Sequence, residues 1–375
     1  MLNKIGKWAG FLGLAAATGM LISGNAMAAE KIKIFQSMSY IGNDWQAETA
    51  NMISAMAHSK GIIDKVDFQV QVAGPNAQKQ IQQLNAMVQA GAKAIVVFPI
   101  SPTALNPVVK AACAKGVEVF AYESEITEPC AHNVSINNKE FGKVTAEWLV
   151  KAIGGKGNIV YINGVPGVSA ETDRTEGVNA VIAANPGVKI IATGVGMWSE
   201  SVARSEMTKI LASHKWDEID GVLSQIGCFS VNELQLQAGI PAEKLKPCSG
   251  ESGNGNLIQM LPKGTEVAGG HDNYIPMGAN GFSTFAPVST AGYAFKLAFE
   301  AATTGKKFPH DIVIEPLRLT SDMVKLCKEG TWKELQAGCN VFQPELIGNP
   351  GFFPSIYNPN TPELGLNAGL TGTPE

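Results

Sequence analysis

Two similar, doubly wound α/β lobes with parallel sheets are the fold class this sequence predicts, on three observations. Short apolar runs alternate with helical patterns at near-regular intervals from Lys31 onward. The alternation restarts near Glu140, and one run, Ala94 to Phe98, is apolar without interruption. A continuous apolar strand belongs in a sheet covered on both faces, and a βα alternation winds such a sheet. The 375 residues, 45% hydrophobic and 17% charged, can fill two cores.

Ile32 to Phe35 reads as the first strand. Trp45 to Ser59 is a helix with Trp45, Thr49, Met52, Ile53 and Met56 on one face. Val66, Phe68, Val70 and Val72 alternate as a strand, and Gly74-Pro75-Asn76 breaks it. Ala77 to Ala90 is the next helix, Ala94 to Phe98 the third strand, Pro102-Thr103 a helix start, and Val117 to Ala121 the fourth strand. In the second series Glu140 to Ile153, Ala170 to Ala184, Glu200 to Ser213, Ser230 to Ala238 and Asn256 to Met260 read as helices. Asn158 to Ile162, Val188 to Ala192, Gly221 to Ser224, Lys246 to Ser249 and Val267 to Gly269 read as strands between them. A long helix, Val288 to Thr303, and a last strand, Ile312 to Glu315, follow. After Val341 come six of the 20 prolines and periodicity stops, which predicts an extended or loosely wrapped tail.

The first 28 residues are set apart as a secretory leader. Lys4 and Lys7 precede an apolar stretch from Trp8 to Ile22, and Ala26-Met27-Ala28 is an A-x-A cleavage site. The glycines in that stretch make it short and weak for a membrane span of about 20 apolar residues. No cysteine precedes Cys113, so a lipoprotein anchor is not expected. A cut after Ala28 leaves 347 residues at a formal charge of −6, since the leader carries two lysines and no acid. The predicted location is the periplasm. The balance of 29 basic and 33 acidic side chains excludes a protein that binds nucleic acid through a strong positive field.

Six cysteines suit an oxidising compartment. They fall as Cys113 with Cys130, Cys228 with Cys248 and Cys327 with Cys339. Adjacent pairing is the expectation among about 15 possible connectivities. No C-x-x-C or histidine spacing suggests a metal, and no cofactor is expected. Gly250-Glu251-Ser252-Gly253-Asn254 lacks the last glycine of a serine elbow, and Gly194-Val195-Gly196 lacks the third glycine of a dinucleotide loop. An enzyme is disfavoured; a secreted hydrolase using paired glutamates is the rival.

The loops after the predicted strands carry a resemblance. Ser37 to Trp45, Phe98 to Pro102, Phe120 to Ser124, Ile136 to Gly142, Val168 to Gly177 and Cys248 to Gly253 follow in the order of motifs seen in ribose- and galactose-type periplasmic sugar-binding proteins. These are type I periplasmic binding folds and the substrate receptors of ABC importers. The resemblance covers roughly residues 31–319. It implies two doubly wound lobes joined by a three-segment hinge, with ligand in the cleft between them. It further implies an inner-membrane ABC permease as partner, a chemoreceptor as a second one, and a monomeric receptor. The corresponding lobes are 29–136 with 287–311, and 137–286 with 312–340, leaving 341–375 as a Pro-rich tail. The sequence departs from the family pattern where a strand-end Asp becomes Glu123, its neighbouring Arg becomes Ser124, a helix Arg becomes Thr172 and a second-lobe Asp becomes Glu251. Residues 270–281 look like an insertion.

Trp45 and Trp198 are candidate stacking platforms on opposite lobes, since an indole offers a flat apolar face to a sugar ring. Helix packing is the competing role for Trp45. Glu123 and Glu251 end strands in the two lobes and can accept hydrogen bonds from neighbouring hydroxyls; helix capping competes. Arg174 is a donor candidate, with an ion pair to Glu171 or Glu176 as its competitor. Tyr40, Asn43, Asp272 and Phe285 are cleft candidates by position. The expected ligand is a small neutral sugar or polyol, with a cationic or unusual polar ligand as the alternative.

Overall fold

The computed structural model describes residues 30–271 and 274–375. The leader expected at 1–28 and the candidate Asp272 lie outside these residues. The first series is β1 (Ile32–Met38), α1 (Asp44–Ala57), β2 (Val66–Val72), α2 (Ala77–Gln89), β3 (Ala92–Phe98), α3 (Asn106–Ala114), β4 (Glu118–Tyr122) and β5 (His132–Ser135). The second is α4 (Asn138–Ala152), β6 (Gly157–Asn163), α5 (Ser169–Ala184), β7 (Val188–Val195), α6 (Glu200–Ser213), β8 (Gly221–Ile226), α7 (Cys228–Gln237), β9 (Cys248–Glu251), α8 (Asn254–Met260) and β10 (Gly281–Thr284). Then come α9 (Ser289–Thr304), β11 (Asp311–Val313), β12 (Arg318–Thr320), α10 (Trp332–Gln336), α11 (Pro344–Ile347) and α12 (Leu366–Thr371).

The strands form two six-stranded sheets, in the orders β11-β5-β4-β3-β1-β2 and β12-β10-β9-β8-β6-β7. Every pairing is parallel except that of β10 with β12. Helix α9 packs on β3, β4 and β5 of the first sheet although it follows β10 of the second, and α4 packs on β8, β9 and β10. The chain therefore passes between the sheets after β5, after β10 and between β11 and β12. These are the two doubly wound α/β lobes of a type I periplasmic binding fold.

Local chemistry explains the element starts. Asn43, Asn76 and Asn137 cap α1, α2 and α4 by accepting the N–H of Gln46, Lys79 and Glu140. Strand β3 is buried at six of its seven positions, as its unbroken apolar run requires. The disulfides are Cys113–Cys130, Cys228–Cys248 and Cys327–Cys339, the sequence-adjacent set. Each closes a short loop, and a 15-residue loop is worth about 3 kcal/mol in the chain-entropy account. Among the described residues no helix is long and apolar enough to cross a membrane.

Two expectations need correction. Val267 to Gly269 is not a strand. Its backbone is taken by the C-terminal segment instead: Ala268 N–H donates to the Gln343 side chain and Glu345 N–H to the Ala268 carbonyl. The tail is not loosely wrapped either. Phe342, Phe352, Phe353, Ile356, Leu364 and Ala368 are all buried. All six belong to one continuous apolar cluster with Ile53 of α1, Phe295 of α9 and Leu257 of α8. Proline and loss of periodicity mark the absence of regular elements, which is different from the absence of packing.

Candidate functional site

The carboxyl ends of β3, β4 and β9, the loop after β7 and the starts of α1 and α5 meet at one place between the lobes, as parallel α/β sheets favour. Trp45, in the first turn of α1, is buried; its indole N–H donates to the Ala286 carbonyl at 2.8 Å. Its ring stacks on Tyr122 at 6.3 Å between centroids and tilts against Phe98 at 5.9 Å. Trp45 is thus packed in the apolar cluster and also lines the cavity at this place.

Arg174 on α5 is the centre. Its two terminal nitrogens reach Glu123 at 2.8 Å and Glu251 at 3.0 Å, and its Nε donates to Asn138 at 2.8 Å. Glu123 follows β4 of the first lobe and Glu251 ends β9 of the second, so one guanidinium joins both lobes. The competing partners are otherwise engaged: Glu171 with Thr175 and Glu176 with Lys139. Phe141 lies under the guanidinium at 3.9 Å and the Trp198 ring lies at 5.7 Å. Planar guanidinium suits this double duty of forked hydrogen bonding and stacking.

The triad is almost wholly buried: Arg174, Glu123 and Glu251 are 2%, 4% and 3% exposed. Burial raises the Glu123 carboxyl above its usual range, with Arg174 pulling the other way. Glu251 is pushed up to about 7 by burial, with Arg174 lowering it and the Glu123 charge adding to the rise. Burial thus biases both carboxyls toward the protonated form, and Arg174 opposes it in each. Glu251 spends its second oxygen on the Ala286 N–H at 2.7 Å, while the Glu123 Oε2 has no partner.

Trp198 is held differently. Met197, Trp198 and Glu123 are the non-glycine residues with positive φ among those described, at 55°, 51° and 60°. Such backbone costs on the order of 1 kcal/mol or more, and it clusters where a surrounding structure imposes it. Trp198 donates its indole N–H to Gln225 at 2.7 Å, and Gln225 donates to the Tyr161 hydroxyl at 2.7 Å. Gly164 makes the room: a Cβ there would overlap the Trp198 ring.

Asn43, Trp45, Glu123, Arg174, Trp198 and Glu251 share the lining of one cavity of about 20 Å3. Asn43 also serves as the α1 cap. Phe285 is fully buried in the apolar cluster, and its neighbour Ala286 takes the cavity position. Tyr40 is not among the lining residues; its ring lies against Gly42. Sequence reasoning missed Ile226 and Phe353 as lining residues, and Asn138 and Phe141 as supports of Arg174. Asn138 lies in the Ile136 to Gly142 motif already singled out, but nothing around Phe353 signals a site. No cluster of metal-ligating side chains occurs among the described residues.

Comparison with known proteins gives the family of the chain. A xylitol-binding protein of Mycolicibacterium smegmatis is 30% identical over 175 residues, 45% of this chain and 50% of its own. A galactofuranose-binding protein of Escherichia coli is 27% identical over 205 residues, 53% of this chain and 62% of its own. The matches thus span between half and two thirds of those relatives' lengths. The crystal structure of an ABC transporter solute binding protein from Thermobispora bispora superposes with a TM-score of 0.65 at 26% identity, over 76% of this chain and 84% of that one. The family profile described as periplasmic binding protein domain matches residues 34–284, and the chain belongs to that family.

Proposed function

We propose that this protein is the exported substrate receptor of an ABC importer, and that it takes a small neutral sugar or polyol between its lobes and delivers it to an inner-membrane permease. The observation that carries the reading is the Arg174 bridge from Glu123 of one lobe to Glu251 of the other, set beside two tryptophans. It provides hydrogen-bond donors and acceptors between flat apolar walls, which is what a hydroxyl-rich ring needs. Relatives named for xylitol and galactofuranose support the same ligand class.

Charge decides between ligand types. Arg174 already balances one of the two carboxylates, and the second approaches neutrality through the raised Glu251. A cation is not required to neutralise the site, and an anion would find its one guanidinium engaged twice. The unpartnered Glu123 Oε2 is an acceptor suited to a ligand hydroxyl.

The mechanism follows from volume. A cavity of about 20 Å3 holds roughly one water, so a sugar ring is admitted only when the lobes part. Parting separates Glu123 from Arg174, and closure on a ligand regains those bonds with the ligand among them. Membership of the periplasmic binding protein family supports a receptor over a hydrolase. The leader is removed on export, the receptor acts as a monomer, and a chemoreceptor is a second docking partner.

A thermal-shift screen over sugars, polyols, sugar acids and amines tests the reading. Ligand at about 100 times its Kd adds about 2.7 kcal/mol, an easily read rise in melting temperature. A response restricted to sugar acids or to amines overturns the neutral ligand, and recovery of a chemically altered ligand overturns the receptor.

A further inference from the structure

We propose that the C-terminal segment is a working wall of the binding site, with Phe353 as a residue that determines ligand specificity. The inference rests on the receptor reading above and extends it to a part of the chain beyond the family match at 34–284.

Phe353 is buried and shares the cavity lining with Trp45 and Trp198. Its position is built from both sides. On the second-lobe side, Asn254 at the start of α8 donates its side-chain amide to the Phe342 carbonyl at 2.9 Å and accepts the Phe342 N–H at 2.7 Å. The backbone N–H groups of Asn254 and Gly255 donate to the carbonyls of Phe352 and Pro350. A Cβ on Gly255 would lie 2.7 Å from Pro350, so glycine there lets the segment close onto α8. On the first-lobe side, the Phe353 N–H donates to the buried Glu48 carboxylate at 2.7 Å, and the Asn349 amide donates to Asp44 at 2.9 Å. Further along, Asn51 of α1 donates to the Gly369 carbonyl, and Lys296 of α9 holds Glu363 at 2.8 Å.

The segment therefore starts on the second lobe and finishes on the first. It passes between them a fourth time at residues 350–353, beside the passage that carries Ala286. A side chain delivered at that passage meets whatever lies between the two tryptophans. Its ring sets how far a bound ligand extends toward the tail, which is how an apolar wall discriminates between ligands of different length.

Calorimetric titration of the wild type, Phe353→Ala, Phe353→Trp and Tyr357→Ala with xylitol, D-xylose, D-ribose and D-galactose tests this, alongside amide hydrogen exchange on the ligand-free proteins. Tyr357 lies in the same segment but packs on Trp332, away from the cavity lining, and so controls for damage to the tail. The expected result is at least a tenfold loss for the preferred ligand in Phe353→Ala, a changed order of preference across the panel, and wild-type behaviour in Tyr357→Ala. Unchanged affinities and order in Phe353→Ala overturn the proposal while leaving the receptor reading intact. If the wild type binds no member of the panel, the sugar reading fails instead. Exchange then decides the segment: protected Gly255 and Phe353 amides that open together support the fourth passage, and fast exchange at either overturns it.

Discussion

The two tryptophans that face the cleft are built in opposite ways. Trp45 stands on a regular helix, is 7% exposed, and is locked by Phe98, Tyr122 and a bond to the Ala286 carbonyl. Trp198 sits in a loop on left-handed backbone, half-buried, with a single polar tether through Gln225. The first lobe thus presents a wall that is an extension of its core. The second presents a wall that its loop must hold against backbone strain. Stability and binding are expected to separate along that line.

The largest effect falls on the group that couples the two walls. Arg174→Met leaves two buried carboxylates without their cation and is expected to cost about 3–5 kcal/mol at pH 8. Adding Glu123→Gln and Glu251→Gln to that variant should restore most of the loss, and a melting series reads both. No rescue by the neutral triple variant would show that the cost lies elsewhere than in stranded charge.

Trp45→Ala is expected to cost about 3–5 kcal/mol in unfolding free energy, as large-to-small changes in a core do. Trp198→Ala is expected to cost only about 1 kcal/mol while weakening ligand binding at least as much as Trp45→Ala. Equal stability losses would erase the distinction between a core wall and a loop wall.

The pH dependence sharpens it further. Glu251 has a folded pKa of about 7, raised from the ordinary 4.5, so the folded state binds the proton more tightly than the unfolded chain. This contribution is full below pH 4.5 and is lost as pH rises through about 7. Lowering the pH from 8 to 5.5 is then worth on the order of 2 kcal/mol from this group alone. Glu123, Glu48 and Glu200 are raised by burial and act in the same direction. Glu251→Gln should flatten the slope of melting temperature against pH, and an unchanged slope would remove the triad from the explanation.

The smallest change tests the loop wall alone. Gly164→Ala puts a methyl group into the Trp198 ring and is expected to cost about 1–3 kcal/mol, with a weaker ligand affinity and altered tryptophan fluorescence. Full affinity in that variant would mean that the position of the Trp198 ring is not critical.

Much of the architecture was legible in the residues. The βα alternation and the buried run Ala94 to Phe98 report the doubly wound lobes because strand and helix periods differ and are local properties. His132–Ser135, Gly281–Thr284 and Arg318–Thr320 escaped because strands of three or four residues carry no period of their own. In the site, Trp45, Glu123, Arg174, Trp198 and Glu251 could be named from strand-end positions and motif order. Phe285 was one residue away from the Ala286 that lines the cavity, both lying just past the end of β10, where no regular period marks which side chain turns inward.

What the amino-acid order determined by itself is the material of the two lobes, the spacing of the six cysteines and the identity of the side chains at the strand ends. Each depends on neighbours within a few tens of residues. What tertiary structure alone decided is which of those side chains meet. Arg174 took Glu123 and Glu251, 51 and 77 residues away, over Glu171 and Glu176 within its own helix. Residues 341–375, with no period to betray them, became packed on the lobes, with Phe353 in the cavity lining. Both outcomes have one physical cause. Burying a charge or an apolar ring depends on surfaces that exist only after the lobes and the tail have come together, so no local pattern announces it.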